Sequence, residues 1–306
     1  MNGTTILWGI FWAIIAAALY LDLGVLNKRS HVVSLKEAAL WCAAWMSLAL
    51  LFDAGIWYRL GGGKALEFLT GYVLEYSLSV DNMFVFIVIF EYFGVPREYQ
   101  SRVLHWGILG AVFMRFLFIF VGIALIHAFH WIIYVFGVIL IYTGIKMMRQ
   151  SEEKMDPAAN PVLKLCKRFL PFSDRFAGQA FFSGGPGRWV ATPLFATLLV
   201  VEVSDVVFAL DSIPAVLAIT TDTLIVYTSN VFAILGLRSL FFLLAGIMGL
   251  FRFLKVGISV ILCFVGAKMT LADLVHVPIG ASLSIVVGVL ALSILFSVFV
   301  PQRAKA

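Results

Sequence analysis

Charged residues are scarce in this chain: Lys, Arg, Asp and Glu make up 13% of its 306 residues. An ordinary soluble domain carries about a quarter, so that class is excluded. Cysteine is nearly absent as well. Cys42, Cys166 and Cys263 are far apart and form no CxxC pair, so neither a disulfide framework nor a thiolate metal site is expected. The net charge of +5 does not point to nucleic acid, because no basic run is interleaved with aromatics. What fills the chain instead is apolar: 62% hydrophobic residues and a mean hydropathy of +1.02. The fold class is an all-α polytopic membrane protein.

At about 20 apolar residues per span, nine transmembrane helices are predicted near 6–26, 38–57, 66–93, 103–127, 130–148, 192–219, 223–250, 254–272 and 278–300. The first begins without a basic n-region and ends at Asn27-Lys28-Arg29 without a cleavage pattern, so it reads as a retained helix. Basic residues collect on the side that holds the C-terminus, among them Lys28, Arg97, Lys146, Arg168, Arg252 and Arg303, against Arg59 and Lys64 on the other. The positive-inside rule then places the N-terminus outside and the C-terminus in the cytoplasm. The long connection 150–190 reads as a cytoplasmic surface linker. Within it VLKLCKRFL, 162–170, has the pattern of a short basic amphipathic helix on the inner leaflet.

An internal repeat organises the spans. YVLEYSLSVDNMFVF (72–86) lies beside EVSDVVFALDSIPAV (202–216), with Glu75 opposite Asp205, Asp81 opposite Asp211 and Asn82 opposite Ser212. Further on, Arg115 falls opposite Arg238, and GIKMM (144–148) opposite GAKMT (266–270). Each unit is three spans long, so tandem copies enter the membrane from opposite faces, the inverted repeat of many transporters. The chain divides into 1–62, two peripheral helices; 63–149, the first repeat; 150–190, the loop; 191–275, the second repeat; and 276–306, the last helix and tail.

Glu75, Asp81, Glu202, Asp205 and Asp211 sit inside apolar spans, where a carboxylate costs on the order of 2.5 to 3.5 kcal/mol. They must be protonated, paired or facing a polar cavity. Glu202 and Asp205 share a helix face, whereas residues six apart, Glu75 with Asp81 and Asp205 with Asp211, lie about 240° apart on a regular helix. Pro214, three residues after Asp211, therefore predicts a break in span six that would let both repeats aim at one centre with Asn82 and Ser212. An all-oxygen centre suits Mn²⁺, Mg²⁺ or Ca²⁺, not Cu⁺ or Zn²⁺, and would repel tellurite or phosphate. Arg115 and Arg238 are charge-compensating candidates, but two guanidiniums cannot cancel five acids. The GxGD and PAL patterns of intramembrane aspartyl proteases are absent, so no enzymatic activity is expected. Asp22, Asp53, His127, His130 and His276 read as solvated residues near the interfaces.

GYVLEYSLSVDNMFVF, LVVEVSDVVFALDSIPAVLAITTD, TSNVFAILGLRSLFFLLAG and the GAKM segment resemble the TerC family of integral membrane proteins over essentially the whole chain, and within it the Alx-like bacterial members. The resemblance implies a multi-pass protein of the bacterial inner membrane, related to the lysine-exporter superfamily, named for tellurium resistance and including manganese exporters. It implies that the positions of the family's acidic motifs fall on Glu75, Asp81, Asn82, Glu202, Asp205, Asp211 and Ser212. The expectation is a divalent-cation exporter working by alternating access, with Mn²⁺ as the transported ion, no permanently bound cofactor, and Asp81 and Asp211 as primary ligands. Glu75, Glu202 and Asp205 would be ligands or proton carriers, allowing proton antiport. The alternative is a membrane metal sensor or scaffold, linked to tellurium or alkaline stress resistance, that moves nothing.

Overall fold

The structure, a computed structural model, describes residues 3–21, 33–129, 131–149, 161–184, 189–247, 253–272, 274–275 and 277–299. Asp22, His130, His276, residues 150–160 and the tail from 300 lie outside them.

The fold is helical, as expected: α1 (Gly3–Leu21), α2 (Leu35–Leu60), α3 (Gly62–Tyr92), α4 (Arg97–Ala128), α5 (Ile132–Arg149), α6 (Pro161–Phe169), α7 (Pro193–Leu217), α8 (Thr223–Leu235), α9 (Leu237–Ile247), α10 (Leu254–Thr270) and α11 (Ile279–Phe299). The helix ends follow local chemistry. Gly61, at φ 91, closes α2 and opens α3 in a turn that only glycine enters without strain. Asp222 caps α8 by accepting from the Leu224 N–H at 3.1 Å. Pro193 takes the first helical position of α7, where its missing N–H costs nothing.

Among the described residues six helices are long and apolar enough to cross a membrane: α2, α3, α4, α5, α7 and α11. The bent pair α8 and α9, turning by 45° around Gly236, makes a seventh. A helix occupies each of the nine expected spans, but the shorter apolar run Gly3–Ala18 and the 17-residue α10 fall below that length criterion. Apolar side chains such as Trp12, Leu51, Phe113, Tyr142 and Leu295 point outward, as a lipid-facing surface requires.

One prediction is corrected. Neither α3 nor α7 is interrupted between its acids. Pro214 stands in the last turn of α7, three residues before its end, where the lost rung of the hydrogen-bond ladder has few turns left to disturb. The kinked span is instead the next one, at Gly236.

The inverted relation of the repeats is visible in the packing. A Cβ built on Gly144 of α5 would lie 2.8 Å from the Ser259 carbonyl oxygen and 3.1 Å from the Cys263 nitrogen. One built on Gly266 of α10 would lie 2.6 Å from the Gly137 oxygen and 2.9 Å from the Ile141 nitrogen. Extending the GIKMM/GAKMT register makes Gly144 the counterpart of Gly266, Gly137 of Ser259 and Ile141 of Cys263. The two contacts are thus one contact, exchanged by a pseudo-twofold axis. High numbers on α5 meet low numbers on α10, so the helices are antiparallel. The axis therefore lies in the membrane plane.

The other helices obey the same axis. Lys64 meets Asp222, and Gly71 meets Ser229, so α3 and α8 run parallel. Gly107 meets Val201, and Gly122 meets Leu217, so their counterparts α4 and α7 do too. Outside the repeats, α1 and α2 cover the α3–α8 flank through Phe11, Phe52, Phe68 and Phe232, with the rings of Phe52 and Phe232 4.9 Å apart. α11 rests on α10 and α3.

The loop is more than a strand of surface chain. α6 forms where the amphipathic pattern predicts it, with Leu163 buried. Phe182–Ser183 (β1) pairs antiparallel with Val190–Ala191 (β2). This small hairpin docks on the starts of α4 and α7: the Phe182 and Phe195 rings are 4.5 Å apart, and Arg102 lies over Phe181.

Candidate cation site at the crossing of the repeats

Where α3, α4 and α7 meet, four buried side chains form one network. Arg115 on α4 and Glu75 on α3 are fully buried and joined in a salt bridge, the Arg115 Nη1 donating to the Glu75 Oε1. The same Nη1 donates to the Ser212 Oγ of α7 at 2.9 Å. Its Nη2 lies 3.9 Å from the Asp205 Oδ1, also on α7. Glu75 and Asp205 are the equivalent acids of the two repeats. One guanidinium therefore holds together the two positions that the pseudo-twofold axis relates.

The network is incompletely satisfied. Among the described residues the Glu75 Oε2, Asp205 Oδ2 and Arg115 Nε have no hydrogen-bond partner. Beside Asp205 a cavity of about 10 Å³ is lined by Phe86, Gly107, Ala111 and Val201, space for no more than one water molecule. Buried polar atoms are normally paired, so a site that leaves several open has capacity for another ligand.

The other predicted residues are distributed around this centre. Glu202, half-buried one turn before Asp205, lays its carboxylate on α4: a Cβ at Gly110 would sit 2.2 Å from both of its oxygens. Glycine at 110 is what allows that approach. Asn82 is buried on α3. Arg238 is half-buried at the second position of α9, just past the kink.

Asp211 does not join the Arg115 network. It faces α5, where the Thr143 Oγ1 donates to its Oδ1 at 2.9 Å. The 240° between residues six apart on an unbroken helix is the reason. Asp81 belongs to α3, but its side chain lies outside the described residues. Among those described, no three Asp, Glu, His or Cys side chains are grouped to hold a metal ion in this arrangement.

Three more residues matter in the tertiary structure, two of them, Thr143 and Gly110, in contact with the acids. Thr143 gives no signal, being one hydroxyl in an apolar span. Gly110 looks like any small residue in a membrane helix. Asn230 on α8 carries a signal that was available, the polar run Thr228-Ser229-Asn230 inside an otherwise apolar helix. It is fully buried, and both atoms of its amide lack a partner among the described residues. At the edge of the bundle Lys64 bridges Glu67 at 2.9 Å and Asp222 at 3.0 Å, tying the start of α3 to the start of α8.

Fold and site together define a multi-pass α-helical membrane protein, built on an inverted repeat whose matched acids converge at its centre. The family model described as "Integral membrane protein TerC family" matches residues 60–305, beginning where α3 begins and leaving α1 and most of α2 outside it. The chain is 50% identical over 302 residues to an uncharacterized membrane protein of Myxococcus xanthus, covering 99% of this chain and 95% of the relative. It is 44% identical over 310 residues to the Escherichia coli K12 protein named "Putative membrane-bound redox modulator Alx", covering 98% and 97%. A membrane protein of Rickettsia bellii is 40% identical over 291 residues, covering 95% and 96%. No solved structure matches. The chain belongs to the TerC family of integral membrane proteins.

Proposed function

We propose that this protein exports a divalent metal cation, Mn²⁺ foremost, across the bacterial inner membrane by alternating access. The observation that carries the reading is the meeting of Glu75 and Asp205, matched acids of an inverted repeat, on one buried guanidinium. A positive charge is already accommodated at the place where a transported cation would sit. The protein's own arginine fills that role in this arrangement. Export requires the guanidinium to leave and the oxygens of Glu75, Asp205, Ser212 and Glu202 to take the cation. Asp81 and Asp211, six residues further along α3 and α7, serve as further ligands along the route. Hard oxygen donors favour Mn²⁺, Mg²⁺ or Ca²⁺ over softer metals.

The test is Mn²⁺ uptake into inside-out vesicles, in which export from the cytoplasm appears as accumulation. Glu75→Gln, Asp81→Asn, Asp205→Asn and Asp211→Asn should each lower the flux at least tenfold. Wild-type flux in all four variants would refute the reading. Proton antiport is the coupling we propose, since crowded carboxylates can trade H⁺ for metal. Efflux from proteoliposomes that is indifferent to collapse of the pH gradient would remove it.

A second reading, a sensor that binds cations without moving them, draws support from the Arg115 latch itself, which closes the centre. Saturable Mn²⁺ binding with no flux would favour it.

A further inference from the structure

Asn230 has no role in the network described so far, and its placement is costly. Burying an amide with no partner forfeits its hydrogen bonds to water without replacement, a penalty that a leucine of similar size would not carry. Its neighbours on α8, Val226, Val231, Ala233 and Ile234, are buried apolar residues.

The direction of the side chain follows from residues on either side of it. Ser229 faces α3, where a Cβ on Gly71 would lie 3.0 Å from its Oγ. Tyr227 faces the seam of α1 and α4, its ring 5.6 Å from Phe11 on α1 and, on α4, 5.6 Å from Phe116 and 6.3 Å from Phe120. At about 100° per residue, Asn230 points into the sector between those two directions. That sector is bounded by α3, which carries Glu75, and α4, which carries Arg115.

Its depth agrees. α8 runs parallel to α3 and therefore antiparallel to α4. Tyr227 sits between the levels of Phe116 and Phe120, so Asn230, three residues on, comes level with Arg115. Along α3, the Gly71–Ser229 contact puts Asn230 within about one turn, roughly 5 Å, of Glu75.

We infer that Asn230 is the α8 contribution to the cation site, a neutral oxygen ligand that holds the transported divalent cation through its Oδ1 once the Arg115 guanidinium leaves the acids. The inference rests on the transport reading above. It adds a side chain of α8 to those of α3, α4 and α7 that already surround the centre. Carbonyl-type oxygens beside carboxylates are a common donor set for hard divalent cations. A neutral ligand binds without adding charge that would retard release.

The experiment uses the full chain in proteoliposomes, with Mn²⁺ flux and thermal unfolding measured for the wild type, Asn230→Leu, Asn230→Ser, Asn230→Asp and Thr228→Val. Thr228 is the control because its hydroxyl is already bonded within its own helix, to the Leu224 oxygen at 2.7 Å. Asn230→Leu should unfold at the wild-type temperature or above while its apparent KM for Mn²⁺ rises about tenfold, equivalent to about 1.4 kcal/mol of lost cation binding. Asn230→Asp should restore tight binding, and Thr228→Val should leave KM unchanged. Should the leucine variant fail to fold, Asn230→Ser decides, with a raised KM expected. Wild-type KM in a folded Asn230→Leu or Asn230→Ser protein overturns the assignment and leaves the transport reading intact. A wild-type protein that moves no Mn²⁺ overturns both.

Discussion

Replacing Arg115 with methionine is the most informative single change. The side chain is fully buried, bonded to Glu75 and Ser212 and 3.9 Å from Asp205. Methionine fills much of the volume and carries no charge. Removing one partner of a buried pair is destabilising by about 3 to 5 kcal/mol, chiefly because the remaining charge is left uncompensated. Two carboxylates lose their counter-charge here, so a loss near the upper end is expected without metal. The cation-site reading adds a second expectation that a structural salt bridge does not share. A divalent cation should replace the guanidinium, and at a free concentration 100 times its Kd it returns about 2.7 kcal/mol. Thermal unfolding of the purified protein, with and without Mn²⁺, reads both quantities. Arg115→Met should unfold well below the wild type in chelator and regain about half of the difference or more in Mn²⁺. The wild type should gain less, since its cation must first displace Arg115. The double variant Glu75→Gln/Arg115→Met should recover stability in chelator and lose much of the Mn²⁺ response. An Arg115→Met protein destabilised to the same extent with and without Mn²⁺ would refute the reasoning.

Other expectations follow from particular contacts. Gly144→Ala and Gly266→Ala each drive a Cβ into backbone of the opposite repeat, so both should lower stability by about 1 to 3 kcal/mol and by similar amounts, measured by thermal unfolding; a variant of either kind that is more stable would contradict the packing. Gly110→Ala meets only the movable end of Glu202, so it should change Mn²⁺ flux while shifting the unfolding temperature little. Thr143→Val removes the hydrogen bond to Asp211 and should cost about 1 kcal/mol, whereas Asp211→Asn keeps an acceptor for Thr143 and should retain stability while losing flux. Lys64→Gln breaks an ion-pair cluster that is about one-third exposed at the lysine, so it should cost no more than about 1 kcal/mol, and less in high salt.

The sequence by itself determined the class of protein, the helical spans and the repeat. Those are local or additive properties: a run of apolar residues must satisfy its backbone internally to enter a bilayer, and matched spacing of Glu75 with Asp205 and Arg115 with Arg238 can be read without coordinates. It also made the six-residue interval between acids conspicuous, although the inferred remedy, a break at Pro214, was not the one used. Only the docking of helices decided that Glu75 and Asp205 converge while Asp211 turns away to Thr143, because helical phase fixes which face a residue takes and says nothing of what stands opposite. The same holds for Arg115. In the sequence it is one of two arginines placed to offset acids, and in the structure it is the bridge between the repeats. Asn230 shows the limit most clearly: a short polar run in an apolar helix is a weak signal until α3 and α4 close around it and leave the amide without a partner among the described residues.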